Sequence, residues 1–300
     1  MESVITIAKQ LLIMFFYMSI GFVLFKKQLI TKEGSKSFGN LLLYVILPCV
    51  VIYSFCVERT AQNTWELLVS LSIGTGLLAI SIAIAAVVFR KRPIDNFSAA
   101  FSNAGFMGFP LITAFLGAGA VFYAAGFVAI LNTMQWTYGQ WVLSGGKKQE
   151  GVNNILRNPV ISALIIGLAV FFLQIPIPDM VSNTMSTLTA LNGPLAMIIL
   201  GTYMAQVDIR QMLYNGNLYW VSAVRLFIIP LVSLALLMLL PQQLKTIKVA
   251  LLIAAIAPVG SNVSIFAQKL NLDYTYAVQI VCVSTLLSIF TIPIILYVIV

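Results

Sequence analysis

The sequence predicts an all-α, polytopic membrane protein: ten transmembrane helices laid out as two inverted five-helix repeats, with helices four and nine broken at a crossover. Three observations carry this expectation. Hydrophobic residues fill 60% of the 300 positions and charged residues only 9%, with a mean hydropathy of +1.00, whereas a soluble domain carries about 25% charged residues. The apolar residues gather into ten runs of roughly the 20 residues that cross a bilayer. The two halves of the chain also share a faint internal repeat.

Taken in order, the first run is about Ile5–Phe25. It is too long for the apolar core of a signal peptide, and no small-residue cleavage site follows, so it reads as a span. Phe38–Cys56, Leu67–Phe89, Phe97–Leu116 and Val121–Leu143 complete the first repeat, residues 1–143. A short loop, 144–158, then divides the chain almost in half. Pro159–Leu173, Val181–Ala205, Leu218–Leu240, Lys248–Ala267 and Tyr274–Val300 form the second repeat, residues 159–300.

Basic residues orient the spans. The loops after spans one, three, five, seven and nine hold twelve Lys and Arg, among them Lys26, Lys36, Arg90, Lys148 and Arg210; the opposite side holds Lys9, Arg59, Lys245 and Lys248. Basic loops face the cytoplasm, which puts both termini outside the cell membrane. The same bias accounts for the net charge of +8 without any nucleic-acid partner.

The repeat rests on a shared offset. Ile20–Ile30 (IGFVLFKKQLI) parallels Ile166–Pro176 (IGLAVFFLQIP), pairing Gly21 with Gly167 and Gln28 with Gln174; Pro48 and Pro194 keep the same spacing, and Pro110 and Pro258 nearly so. Five spans is an odd number, so the second copy enters the membrane inverted. Inverted repeats characterise secondary transporters, whose substrate site lies near the midplane.

Spans four and nine carry the candidate site. The fourth reads FSNAGFMGFPLITAFLG, with Asn103, Gly108 and Pro110; the ninth reads LLIAAIAPVGSNVSIFAQKL, with Pro258, Gly260, Ser261 and Asn262. Pro removes a backbone donor and Gly lowers the cost of unwinding. In hydrocarbon such a break survives only inside protein or beside a cavity. Two breaks meeting near the midplane would aim helix N-termini, with free N–H groups and positive dipole ends, at an anion. Asn132, Gln135, Asn192 and Gln279 read as helix–helix glue. Arg225 is the single charge well inside a span, and it either faces the interior or reaches back to the headgroups.

Several functions are excluded. The chain contains no His, which removes the commonest general base and metal ligand, and no pair of carboxylates lies at depth. Cys49, Cys56 and Cys282 sit in apolar runs and read as small hydrophobes. Neither an enzyme, nor a cofactor, nor a bound metal is expected. The lack of mid-span Asp or Glu favours an anionic or neutral substrate over a cationic one; for an anion, export down an inside-negative potential gains ~2.3 kcal/mol per charge per 100 mV.

At these residues the chain resembles the auxin efflux carrier family, in its short-loop bacterial form. The carrying motifs are Asn103, Met107, Gly108, Pro110 and Leu111 in span four, and Pro258, Gly260, Phe266, Ala267 and Asn271 in span nine. Leu156–Pro159 with Gly167 and Leu168, Leu200–Ala205, and Arg225 with Pro230 extend the match over nearly the whole chain. The resemblance implies a scaffold domain, a transporter domain holding the crossover, a homodimer, and carriage of small organic anions such as malate or malonate, often outward. It carries Asn103, Pro110 and Pro258 over as site-forming. Val263 replaces a second proline of many plant members, and their long central loop is absent. A sodium-coupled organic-anion symporter of the bile-acid type, built on a similar broken-helix plan, is the competing expectation.

Overall fold

The computed structural model describes residues 2–146 and 158–299. Most of the expected loop 144–158 lies outside them. Among the described residues the chain is helical throughout, with one isolated antiparallel bridge between two residues. The helices are α1 (Glu2–Lys26), α2 (Lys32–Ser54), α3 (Ala61–Val88), α4a (Pro93–Ala100), α4b (Ala104–Leu116), α5 (Ala118–Leu143), α6 (Pro159–Leu173), α7 (Asp179–Ala205), α8 (Gly216–Met238), α9a (Lys245–Ile256), α9b (Asn262–Lys269) and α10 (Tyr274–Ile299). A short helix, Ile209–Tyr214, links α7 to α8.

Seven of these helices are long and apolar enough to cross a membrane unaided. Large apolar side chains such as Leu12, Phe16, Leu68, Val87, Phe290 and Ile294 cover their outer surface. That surface is stable only where lipid is the solvent. The chain is a polytopic membrane protein.

Local chemistry sets the helix ends. Thr31 and Thr60 accept hydrogen bonds from the backbone N–H of Gly34 (3.1 Å) and Asn63 (2.9 Å), and Asn158 accepts one from Val160 (2.9 Å). These N-caps satisfy donors that a helix start leaves open. At the far ends of α1 and α6, Gln28 and Gln174 both take the left-handed conformation (φ 60° and 49°).

Three helices share a second device. The prolines Pro48, Pro110 and Pro230 each follow a single wide turn, at Leu42–Ile46, Ala104–Gly108 and Val224–Ile228. A proline has no N–H to give the preceding turn, and a local π-turn absorbs the mismatch without ending the helix. Pro110 therefore lies inside α4b and does not break it, contrary to the expectation that the fourth span breaks around it. The break sits about two turns earlier, at Phe101–Asn103, between α4a and α4b.

The helices pack as two layers. In one, α1 lies along α7, and α6 and the first half of α7 pack on α2. Here Gly21 touches the Ile198 carbonyl and Gly201 the Met18 carbonyl so closely that a Cβ on either would overlap backbone. Small residues allow this approach, which van der Waals contact drives in lipid. The other layer holds α3, α5, α8, α9a and α10 with α4a and α9b, while α4b lies between the layers against α1, α7 and α9a.

Candidate functional site

The broken helices meet as an antiparallel pair of short extended segments. Ser102 bridges Val259. The Asn103 N–H donates to the Pro258 carbonyl (2.8 Å) and the Gly260 N–H to the Phe101 carbonyl (2.9 Å). The Val259 N–H donates to Ser284 Oγ on α10 (3.2 Å). Backbone groups released by unwinding thus find partners, as burial demands. Gly260 sits in a crowded place, because a Cβ there would stand 3.0 Å from the Ser102 carbonyl oxygen and the extended pair would have to give.

The crossover separates the ends of four half-helices by sign. On one side, α4b and α9b begin, at Ala104 and Asn262, beside a small cavity of about 20 Å³. Leu47, Ser102, Asn103, Gly105, Phe106, Asn132, Gln135, Gly260, Ser261 and Asn262 line it. Its volume suits one water molecule. The Asn262 amide donates to Gln135 Oε1 (2.7 Å), while the buried Asn103 Nδ2 and Ser102 Oγ have no hydrogen-bond partner among the described residues. Among the described residues, none in the lining is charged.

On the other side α4a and α9a end, and Arg225 meets them. It is 1% exposed. Its Nε donates to the Ala257 carbonyl (3.1 Å), and its Nη1 to the Ala99 carbonyl (3.1 Å) and Ser81 Oγ (3.1 Å); Nη2 donates to the Ala255 carbonyl. Ser81 Oγ in turn donates to the Ala100 carbonyl (2.7 Å). Arg225 neither snorkels to the headgroups nor lines the small cavity.

Two larger cavities flank the crossover. One, of about 560 Å³, lies between α1, α2, α4b and α7 and is lined by Gln10, Tyr17, Tyr53, Thr113, Ser186 and Thr189 among others, all uncharged. The other, of about 530 Å³, is lined by Lys32, Glu33, Lys36, Trp136, Tyr203, Lys269 and Tyr274. Lys32 stands over the Tyr274 ring and Lys269 over the Trp136 ring. A narrow apolar cavity that includes Phe106, Tyr203, Ser261 and Asn262 lies between the charged vestibule and the crossover.

Of the residues singled out in the sequence, Asn103, Gly260, Ser261 and Asn262 come together at the small cavity. Pro258 contributes its carbonyl to the crossing. Gly108 instead packs on Ala254 of α9a, and Pro110 lines the uncharged vestibule against Gly193. Asn132 and Gln135, which read as helix glue, reach the cavity. Their i, i+3 spacing on α5 puts them on one helix face, a signal visible in the sequence. Asn192 ties α7 to the crossover by donating to the Gly105 carbonyl (2.8 Å). Gln279 is buried in α10, outside the cavity lining.

Comparison with known proteins adds a family. The family model described as "Membrane transport protein" matches residues 6–155 and 149–296. An "Uncharacterized transporter" of Methanothermobacter thermautotrophicus is 23% identical over 287 residues, 91% of this chain and 92% of that protein. A "Putative malonate transporter" of Rhizobium meliloti is 23% identical over 277 residues, 87% of this chain and 86% of that one.

Proposed function

The chain belongs to the Membrane transport protein family, and on that premise we propose that it is a secondary carrier exporting small organic anions, with the substrate's carboxylate held at the crossover. One observation carries this reading: the N-termini of α4b and α9b open onto a polar cavity where, among the described residues, no acid is in the lining and Asn103 Nδ2 has no partner. Free N–H groups and positive dipole ends favour an anion there.

The vestibules support the direction. The one lined by Lys32, Lys36 and Lys269 against the single Glu33 lies on the side that the basic loops assign to the cytoplasm. It would concentrate anions for loading, and the uncharged vestibule opposite would release them. At its present size the cavity holds no carboxylate, so loading requires the layer of α1, α2, α6 and α7 to shift against the other. That shift is the alternating-access step of this reading.

The reading counts ten crossings, with α4a and α4b as one and α9a and α9b as another. Two features support the inverted repeat: the matching left-handed residues Gln28 and Gln174, and the reciprocal packing of α1 on α7 and of α6 on α2. The localisation that goes with it is a cell membrane with both termini outside.

The test is ligand-induced thermal stabilisation of the purified protein across mono- and dicarboxylates, malonate included, beside sugars and organic cations. Carboxylates should raise the melting midpoint in wild type. Stabilisation by cations or sugars and by no anion would overturn the assignment.

A further inference from the structure

In carriers with discontinuous helices, the C-terminal ends of the half-helices and the unwound carbonyls beside them supply the oxygen ligands of a coupling cation. In this chain those carbonyls are taken. The last turns of α4a and α9a, with the unwound residue Ala257, direct Ala99, Ala255 and Ala257 at one side chain, Arg225. Ser81 relays a fourth carbonyl, Ala100, to the same guanidinium.

We propose that Arg225 is a tethered cation standing where a coupling ion would bind, so that the carrier moves its substrate without sodium. The inference rests on the carrier reading above but concerns its energetics and not its substrate.

A buried cation in lipid persists only when paired or held by backbone carbonyls, and among the described residues no ion pair includes Arg225. Carbonyl dipoles are therefore the counter-charge of Arg225. The C-terminal ends of α4a and α9a each carry negative dipole charge, and one guanidinium answers both. Four of its five N–H groups are used, a planar geometry that an ammonium would not reproduce. The wide turn Val224–Ile228 holds Arg225 on α8 at the crossing, so the cation is fixed in the fold rather than exchanged with solvent.

Arg225 is on this account a positioning residue, and its test needs a readout that general damage to the fold would not move. The melting midpoint of the purified protein is measured in sodium chloride and in choline chloride for wild type, Arg225→Lys and Arg225→Ala. Wild type should melt at the same temperature in both salts. Arg225→Ala should fall by on the order of 10 °C in choline and recover several degrees in sodium or in methylguanidinium, small cations that fit the vacated carbonyls. Arg225→Lys should fall less and respond less. Proteoliposomes exchanging radiolabelled malonate at zero membrane potential should run equally fast with and without a sodium gradient.

A sodium-dependent rise in the wild-type midpoint, or sodium-driven malonate uptake, would overturn the inference. So would an Arg225→Ala protein whose midpoint is lowered equally in every salt. If Arg225→Ala yields no folded protein, the wild-type and Arg225→Lys comparisons decide alone. Failure of every carboxylate to stabilise wild type would count against the carrier reading and leave the cation result standing.

Discussion

Asn103 holds the most exposed chemical commitment of the crossover. Its backbone N–H is spent on Pro258, its carbonyl accepts from Met107 and Gly108, and its buried side-chain Nδ2 has no hydrogen-bond partner among the described residues. A buried unpaired donor costs about 1–3 kcal/mol, which a carboxylate would recover. Asn103→Ala should therefore weaken carboxylate binding about ten- to a hundredfold, since a hydrogen bond to a charged group contributes about 1.5–3 kcal/mol. Titration calorimetry or the midpoint shift with malonate checks this, and unchanged affinity would make Asn103 merely structural. Gln135→Ala should act more weakly, by freeing the Asn262 amide that it now holds. Asn103 and Asn262 were legible in the sequence because a polar residue beside Gly and Pro mid-span is rarely idle. Gln135 was legible only as a partner of Asn132 on one face of α5, a pattern that helix-to-helix bonding matches equally well.

At the level of the helices, proline proved ambiguous. Pro258 lies within the break of the ninth span, whereas Pro110 continues its helix past a wide turn. A sequence shows the missing N–H but not whether a π-turn absorbs it. The real break at Phe101–Asn103 is held open by its bonds to Pro258 and Gly260, partners more than 150 positions away in the sequence. Pro110→Ala should accordingly leave the melting midpoint unchanged or raised, because proline inside a helix costs up to about 3 kcal/mol; a large fall would put the break back at Pro110. The α1–α7 contact gives the opposite forecast. A Cβ at Gly201 would overlap the Met18 carbonyl, so Gly201→Val must separate the helices. Overpacking of this kind costs about 1–3 kcal/mol or more, readable as a lower midpoint or as lost folded yield on size-exclusion chromatography.

Across the whole molecule, charge is arranged by side. The vestibule lined by Lys32, Lys36 and Lys269 faces one way and the uncharged vestibule the other. Exchanging all three lysines for glutamine should raise the KM for anion export several-fold with little change in kcat, and should flatten its dependence on ionic strength, because such steering is screened over about 10 Å at 0.1 M salt. Export assays from inverted vesicles at two salt concentrations check both effects. A wild-type KM insensitive to salt would remove the steering role.

What the sequence determined by itself was everything governed by the solvent: a chain this apolar must sit in lipid, and its polar interruptions must be buried. Hydropathy and the Asn-Gly-Pro clusters are local properties; they marked the apolar runs, seven of which lie in helices long enough to cross a membrane, and they named Asn103, Gly260, Ser261 and Asn262 of the cavity lining. Tertiary structure alone decided where the fourth span breaks, which residues from α5 and α7 reach the crossover, and what Arg225 does. The physical reason is shared: each depends on backbone carbonyls and N–H groups whose partners lie on other helices. Every residue carries such groups, so no residue type marks them. Arg225 was visible as a lone buried charge, but only the crossing of α4a and α9a turned it into a cation held between two helix ends.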